Sequence, residues 1–340
     1  MTMRPWIVPV GGYLGAGKTT LILAAERLLR ERGVRAAAIL NDQGGDLVDT
    51  AYVQGQGVPA GQVAGACFCC RFSELLGAME DLRSSEPEVI FIEPVGSCTD
   101  LAATVVQPLM DFLDRYRVAP LTVVVDPGRA CGDPGFLFDK QVAEADIVAF
   151  SKCDLHAAFP RLDHPEVRHL SAATGLGVNE WLNEILSGTV SAGTRLLDID
   201  YEEYARAEAA LGWLNWSARV EVDPPLSSAQ WIGPLLDGLQ KELNLGGAQI
   251  AHLKVLDQTA GSYLKASVTA NEDLPVVDGD LAASPGREHH IRINLRAVLP
   301  AAELGRIFRR ELAKMPGSRT DELFECFSPG APKPERRVMR

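Results

Sequence analysis

Over the first 190 residues, short apolar, β-branched runs alternate with longer stretches in which apolar side chains recur every three or four positions. The runs at 6–10, 36–40, 89–92, 121–125 and 147–150 predict strands. The stretches at 21–31, 74–84, 101–115 and 137–145 predict helices. Such alternation predicts βαβ units and an α/β fold with a mostly parallel, doubly wound sheet. The strand runs are almost continuously apolar, as expected when helices cover both faces. Ligands of such sheets bind beyond the carboxyl ends of the strands, so the chemistry is expected there.

Residues 1–190 therefore read as one domain. Residues 191–214 read as a connector with a helix at 201–211. The pattern then changes to strands at 217–222, 250–256, 262–269 and 289–294 with helices at 228–242 and 301–314, which predicts a smaller C-terminal α+β domain over 215–315. The tail, 316–340, is rich in Pro and Arg and reads as irregular, with client docking as an alternative use. No internal repeat is evident.

Composition narrows the function. The chain is 46% hydrophobic and 23% charged, an ordinary globular balance. No apolar run reaches the roughly 18–20 residues that span a bilayer. The first residues carry one Arg and a short apolar run leading into glycines, so they read as a strand rather than a signal segment, and a cytoplasmic protein is expected. A net charge of −12 argues against nucleic acid or an anionic membrane as partner. Seven cysteines, three of them within four residues, point to metal binding rather than a disulfide framework.

The segment Gly12-Tyr13-Leu14-Gly15-Ala16-Gly17-Lys18-Thr19 fits the phosphate-binding P-loop pattern, between a strand and a helix. Glycines let backbone N–H groups wrap a phosphate, Lys18 neutralises β/γ-phosphate charge, and the Thr19 hydroxyl is a Mg²⁺ ligand. Gly12, Gly15, Ala16, Gly17, Lys18, Thr19 and Thr20 are the expected phosphate contacts, at a helix N-terminus that favours anions. Ser151-Lys152-Cys153-Asp154 follows a strand and resembles the N-K-x-D loop of GTPases. There the Asp accepts bonds from guanine and the Lys stem covers the base; Ser151 stands in place of Asn. Ser171-Ala172-Ala173 resembles the later loop whose backbone contacts guanine O6. Together they favour GTP, with ATP as the alternative.

Cys67-Phe68-Cys69-Cys70 supplies thiolates, the preferred ligands of Zn²⁺ and similar ions. In an extended chain Cys67 and Cys69 face one side and Cys70 the other unless the chain turns. A redox role or a turn with incidental cysteines is the alternative. Cys98 is either an extra ligand or a small buried residue, and Thr99-Asp100 more simply starts a helix. Cys131, Cys153 and Cys326 read as structural or incidental. His289 and His290, adjacent on a strand, face opposite ways and do not easily share a metal. Trp213 and Trp216 read as packing at a domain interface.

Taken in order, GGYLGAGKTT, NDQGGDLVD, CFCC, IEPVG and SKCD resemble the CobW-type metal-chaperone GTPases, relatives of the nickel-insertion GTPases HypB and UreG. The resemblance covers roughly residues 5–187, with a weaker match to the family's small C-terminal domain. It implies a P-loop NTPase fold and GTP hydrolysis with Lys18, Asp42 and Glu93 as the catalytic groups. Asn41-Asp42-Gln43-Gly44, with Asp49 beyond, looks like the family's first switch, and Glu93-Pro94-Val95-Gly96 like its second. Mg²⁺ would be held through Thr19, Asp42 and Glu93, with Gly96 sensing the γ-phosphate. Zn²⁺ or Co²⁺ would sit on Cys67, Cys69 and Cys70 and pass to a client metalloprotein; a homodimer stays open. The runner-up is a GTP-dependent assembly or reactivation factor for a cofactor-dependent enzyme such as a corrinoid protein, with the cysteines holding a fixed structural ion. A P-loop kinase is disfavoured because no basic lid segment is evident.

Overall fold

A computed structural model describes residues 4–130 and 135–339; Cys131 lies outside the described residues. The chain divides into two compact units. One comprises residues up to 43 with 53–204 and those from 332 onward; the other comprises 44–52 and 205–331.

The first unit is built on a parallel sheet. Its strands are β1 (Trp6–Gly11), β2 (Ala36–Asp42), β3 (Ala60–Ala64), β4 (Val89–Glu93), β5 (Arg117–Val118), β6 (Thr122–Val125), β7 (Ile147–Phe150) and β8 (Val167–His169). They lie in the order β3-β2-β4-β1-β6-β7-β8, with β5 beside β1. Helices α1 (Lys18–Glu31), α3 (Phe72–Asp81), α5 (Gly135–Glu144) and α6 (Val178–Ser187) fall between or after the strands, while α2 (Val48–Gly55) is divided between the two units at residue 53. The apolar runs read from the sequence are the buried centre of this sheet: Val8, Ala38, Phe91, Val124 and Ala149 are each at most 1% exposed.

The stretch expected as one helix over 101–115 winds unevenly. A π-helical turn at Ala102–Val106 passes into α4 (Gln107–Leu109) and a 3₁₀ turn at Met110–Phe112. Pro108 brings no N–H to this stretch, and the Thr104 hydroxyl shares the Asp100 carbonyl at 2.6 Å with its own N–H, so regular α-winding is short of one donor and has a competitor for one acceptor.

The second unit is an antiparallel sheet ordered β12 (Val276–Gly279), β11 (Ser262–Val268), β10 (Gln249–Thr259), β13 (Gly286–Val298), β9 (Leu211–Leu226) and β14 (Ser318–Phe327). Helix α7 (Tyr201–Ala209) leads into β9, and α8 (Ser228–Leu245) and α9 (Ala301–Leu312) share a core with the sheet. Strand alternation explains the two faces. Leu214, Trp216, Ala218 and Val220 of β9 and Ile291, Ile293 and Leu295 of β13 enter that core, while Asn215, Arg292 and Asn294 fall on the other face. Two sequence expectations change. Strand β9 begins at Leu211 rather than 217, and residues 318–327, expected to be irregular, form edge strand β14 against β9. An edge strand needs few apolar residues, and most of β14 is exposed, so its composition did not announce it. Trp216 stacks on Trp231 and Trp213 on Phe327, so both tryptophans pack within this unit.

Residues 44–52 lie on the polar face of this sheet. Val48 N–H donates to Asn294 Oδ1 at 2.9 Å and Gly45 N–H to Glu325 at 2.8 Å. Asp46 pairs with Arg292 at 2.6 Å, and Asp49 with Lys254 at 2.5 Å and Lys265 at 3.5 Å. Among the described residues, no helix is long and apolar enough to cross a membrane.

Candidate functional site

The phosphate loop joins β1 to α1. Its turn needs glycine where φ is positive, at Gly12, Gly15 and Gly17. Gly12 has φ +132°, and a Cβ there would stand 2.3 Å from the Val124 carbonyl oxygen; Gly17 has φ +100° as it caps α1. Lys18 and Thr19 are buried at the first turn of α1, and Thr20 is exposed. Lys18 Nζ donates to Gly12 O at 2.9 Å and lies 3.9 Å from Glu93, while the Thr19 hydroxyl donates to Glu93 Oε2 at 2.9 Å. A hydroxyl and a carboxylate brought together in this way are hard oxygen ligands, the set that suits Mg²⁺. Asp42 ends β2 and is partly buried. Gly96, three residues beyond Glu93, approaches the phosphate loop so closely that a Cβ would meet Lys18 Nζ and Leu14 N at 3.0 Å each.

Two further loops leave the same sheet edge. Ser151, after β7, donates its hydroxyl to Ala16 O at 2.7 Å and so ties this loop to the phosphate loop. Lys152, at φ 54°, pairs with Asp126 at 2.6 Å, and Asp154 is exposed. Ser171 is fully buried after β8, with Ala172 partly buried and Ala173 exposed beside it.

The cysteines form the second focus. The chain does turn at the motif: the N–H groups of Cys70 and Arg71 both donate to Cys67 O, at 3.0 and 3.1 Å. All three sulfurs therefore converge within 4.8 Å of one another, Cys67 Sγ lying 3.3 Å from Cys70 Sγ. Cys98, fully buried, joins them by hydrogen bonding with Cys67 and Cys69. The thiols of Cys69, Cys70 and Cys98 hold Cys67 well below the usual thiol range. Cys69 is correspondingly raised, and Cys70 is pushed up to about 11, first by its bond to Cys67. Sulfurs gathered in this way are a donor set that suits a soft or borderline cation, which they bind by releasing protons.

Two connections tie this cluster to the loops after β2 and β4. The Asn41 side chain, beside Asp42, donates to Val63 O and Ala66 O at 2.8 Å each and accepts from Phe68 N–H at 2.7 Å. It clamps the segment that carries Cys67. Cys98 stands two residues past Gly96, and Gln141 holds both their carbonyls, at 3.0 and 2.8 Å. Of the two alternatives read for Cys98, extra ligand or small buried residue, the structure shows it buried and beside the cluster; the Asn41 clamp has no sequence signature. His289 and His290 do face opposite ways: His289 is buried against Asp257 at 2.6 Å and His290 is exposed.

Comparison with known proteins agrees with this geometry. Residues 6–172 match the family model for the CobW/HypB/UreG nucleotide-binding domain. The urease accessory protein UreG of Ureaplasma parvum is 33% identical over 120 residues, 32% of this chain and 57% of that relative, so the match spans little more than half of UreG. Among solved structures, nickel-bound HypB from Helicobacter pylori is 20% identical, with a TM-score of 0.42 over 54% of this chain and 87% of that one. Zinc-bound YjiA GTPase from E. coli is 15% identical, with a TM-score of 0.34 over 92% of this chain and 99% of that one. Both scores are low, and the assignment rests on the sequence match together with the loops described above. Residues 6–172 are thus a domain similar to the CobW/HypB/UreG nucleotide-binding domains.

Proposed function

We propose that the chain hydrolyses GTP and uses the bound nucleotide to control a transition-metal ion, Zn²⁺ or Co²⁺, which it delivers to a client protein. The observation that carries this reading is the double attachment of the cysteine cluster. Asn41 ties it to the end of β2 beside Asp42, and Cys98 ties it to the end of β4 beside Glu93 and Gly96. In P-loop GTPases these are the positions that respond to the γ-phosphate.

In this reading Lys18 and the backbone of 12–19 bind the phosphates. Thr19, Asp42 and Glu93 hold Mg²⁺, which neutralises charge developing on the transferred phosphoryl group. Ser151, Lys152 and Asp154 with Ser171, Ala172 and Ala173 select guanine. Gly96 follows the γ-phosphate and shifts Cys98 with it. Cys67, Cys69, Cys70 and Cys98 bind the metal as thiolates, and loss of the γ-phosphate draws Cys98 away and loosens the site. A cytoplasmic location accords with this reading, because reduced thiols are kept there.

A second reading has one observation in its favour. Four clustered cysteine sulfurs, three of them buried, are the set used by fixed structural zinc. The GTPase would then be an assembly or reactivation factor for a cofactor-dependent enzyme, and the ion would not move. One experiment separates them: chelator stripping of the metal-loaded protein with a non-hydrolysable GTP analogue or with GDP, beside Cys67→Ser and Cys98→Ser. Delivery requires stripping to be about tenfold or more faster with GDP, and both variants to weaken metal binding. Equal rates in the two nucleotide states would sink the coupling and leave the fixed ion.

A further inference from the structure

After β14 the chain returns to the first unit, where residues 332–338 lie on the cysteine motif without helix or strand structure. Three main-chain N–H groups fix them. Lys333 donates to Cys70 Sγ at 3.0 Å, Glu335 to Cys69 O at 2.8 Å and Val338 to Ala103 O at 2.9 Å. The side chains add specific anchors. The Glu335 carboxylate accepts from Ser73 N–H at 2.9 Å and its hydroxyl at 2.7 Å, in the first turn of α3, where a negative charge is favoured. Arg336 reaches Asp111 at 3.2 Å and lies over Phe72 and Phe112. Arg337 Nε donates to Asp100 at 2.7 Å and its other nitrogen to Leu197 O at 3.1 Å. Asp100 is 1% exposed and two residues past Cys98. The strap therefore touches the segments that carry Cys69, Cys70 and Cys98, and it covers Cys70, the most exposed sulfur of the cluster.

We propose that residues 332–338 are a displaceable cover on the cysteine site, lying in a groove that receives an extended segment of a partner protein with the same chemistry: an acidic side chain followed two positions later by arginine. Two features favour exchange over permanent structure. The main-chain bonds read no particular sequence, so any extended segment can make them. Lys333, Glu335, Arg336 and Val338 all remain exposed, and Pro332 alone of the strap is buried, so apolar burial contributes little to holding it in place. A partner that takes the groove uncovers Cys70 as it docks, coupling access to the cysteines to the presence of an acceptor. That the cargo is a metal rests on the function proposed above; the cover itself does not.

The test uses the full-length, metal-free protein. Iodoacetamide labelling of Cys70, located by mass spectrometry, is timed in the wild type, in Arg337→Ala and in Glu335→Ala, with GTP affinity as the check on folding. Each variant loses charge-assisted bonds, and labelling is expected to be about tenfold faster. The peptide Pro-Lys-Pro-Glu-Arg-Arg-Val, added to the variants, is expected to slow labelling again. Wild-type labelling rates in a folded variant overturn the cover. Faster labelling that the peptide leaves unchanged overturns the exchangeable groove. Should Arg337→Ala lose GTP binding because Asp100 is left buried without its cation, Glu335→Ala decides alone, since Ser73 is exposed. A wild type that binds no metal would defeat the function proposed above and leave these rates meaningful.

Discussion

Ser151 occupies a position where GTP-binding loops ordinarily carry asparagine, and its hydroxyl spans to Ala16 O at 2.7 Å and Val125 O at 3.3 Å. The small side chain thus keeps the loop-to-loop tie. Ser151→Ala should weaken GTP binding by roughly 2- to 10-fold, the worth of one buried hydrogen bond; titration calorimetry would show it, and unchanged affinity would mean that the tie is dispensable. Glu144 makes a different prediction. It is fully buried, accepting from Thr99 Oγ1 and Ala102 N–H at 2.9 Å each, and burial pushes its carboxyl up to about 8 against an ordinary value of 4.5. Between those values the folded protein holds a proton that the unfolded chain has released. Stability from this group therefore falls as pH rises through that window, by at most about 1.4 kcal/mol per pH unit. Glu144→Gln removes the titration while keeping an acceptor for Ala102. Urea unfolding at pH 5.5 and 7.5 should show the wild type losing up to about 3 kcal/mol more than the variant across that interval. Equal slopes would place the proton elsewhere.

At the scale of elements, the sequence was most legible where burial is two-sided and local. The runs at 6–10, 89–92 and 147–150 are apolar throughout and became β1, β4 and β7 within a residue or so. Helix α6 was equally readable: Val178, Trp181, Leu182 and Ile185 recur at helical spacing and are all buried. Strands β3 and β14 were not readable. Strand β3 is Ala-Gly-Gln-Val-Ala with one buried residue, and β14 is mostly exposed; both are defined by the partner strand rather than by their own pattern. The site divides the same way. The phosphate loop is local, and its glycines carry their own geometric reason. The clustering of Cys70 with Cys67 needed a turn that spacing left open, and the approach of Cys98 and the strap at 332–338 join positions far apart in sequence.

For the molecule as a whole, the informative stretch is 44–52, which continues directly from Asp42 yet belongs to the second unit. Asp46, Val48 and Asp49 are held by Arg292, Asn294 and Lys254, so a segment that resembles a nucleotide switch is anchored on β10 and β13. A switch that moves with the γ-phosphate must then break these pairs or carry the sheet with it. Either way, the free energy of the pairs would enter the nucleotide cycle. Arg292→Ala and Lys254→Ala each remove one anchor while sparing the core that Ile293 and Val255 help to form. The expected outcome is GTP turnover altered by about threefold or more, with GDP affinity within about twofold of wild type and thermal unfolding little changed. The direction is informative. Faster turnover means that the sheet restrains the segment from the catalytic arrangement, and slower turnover means that it holds the segment in place for catalysis. Turnover unchanged in both variants would show that the second unit holds 44–52 without governing it, and the purpose of its polar face would have to be sought in another partner.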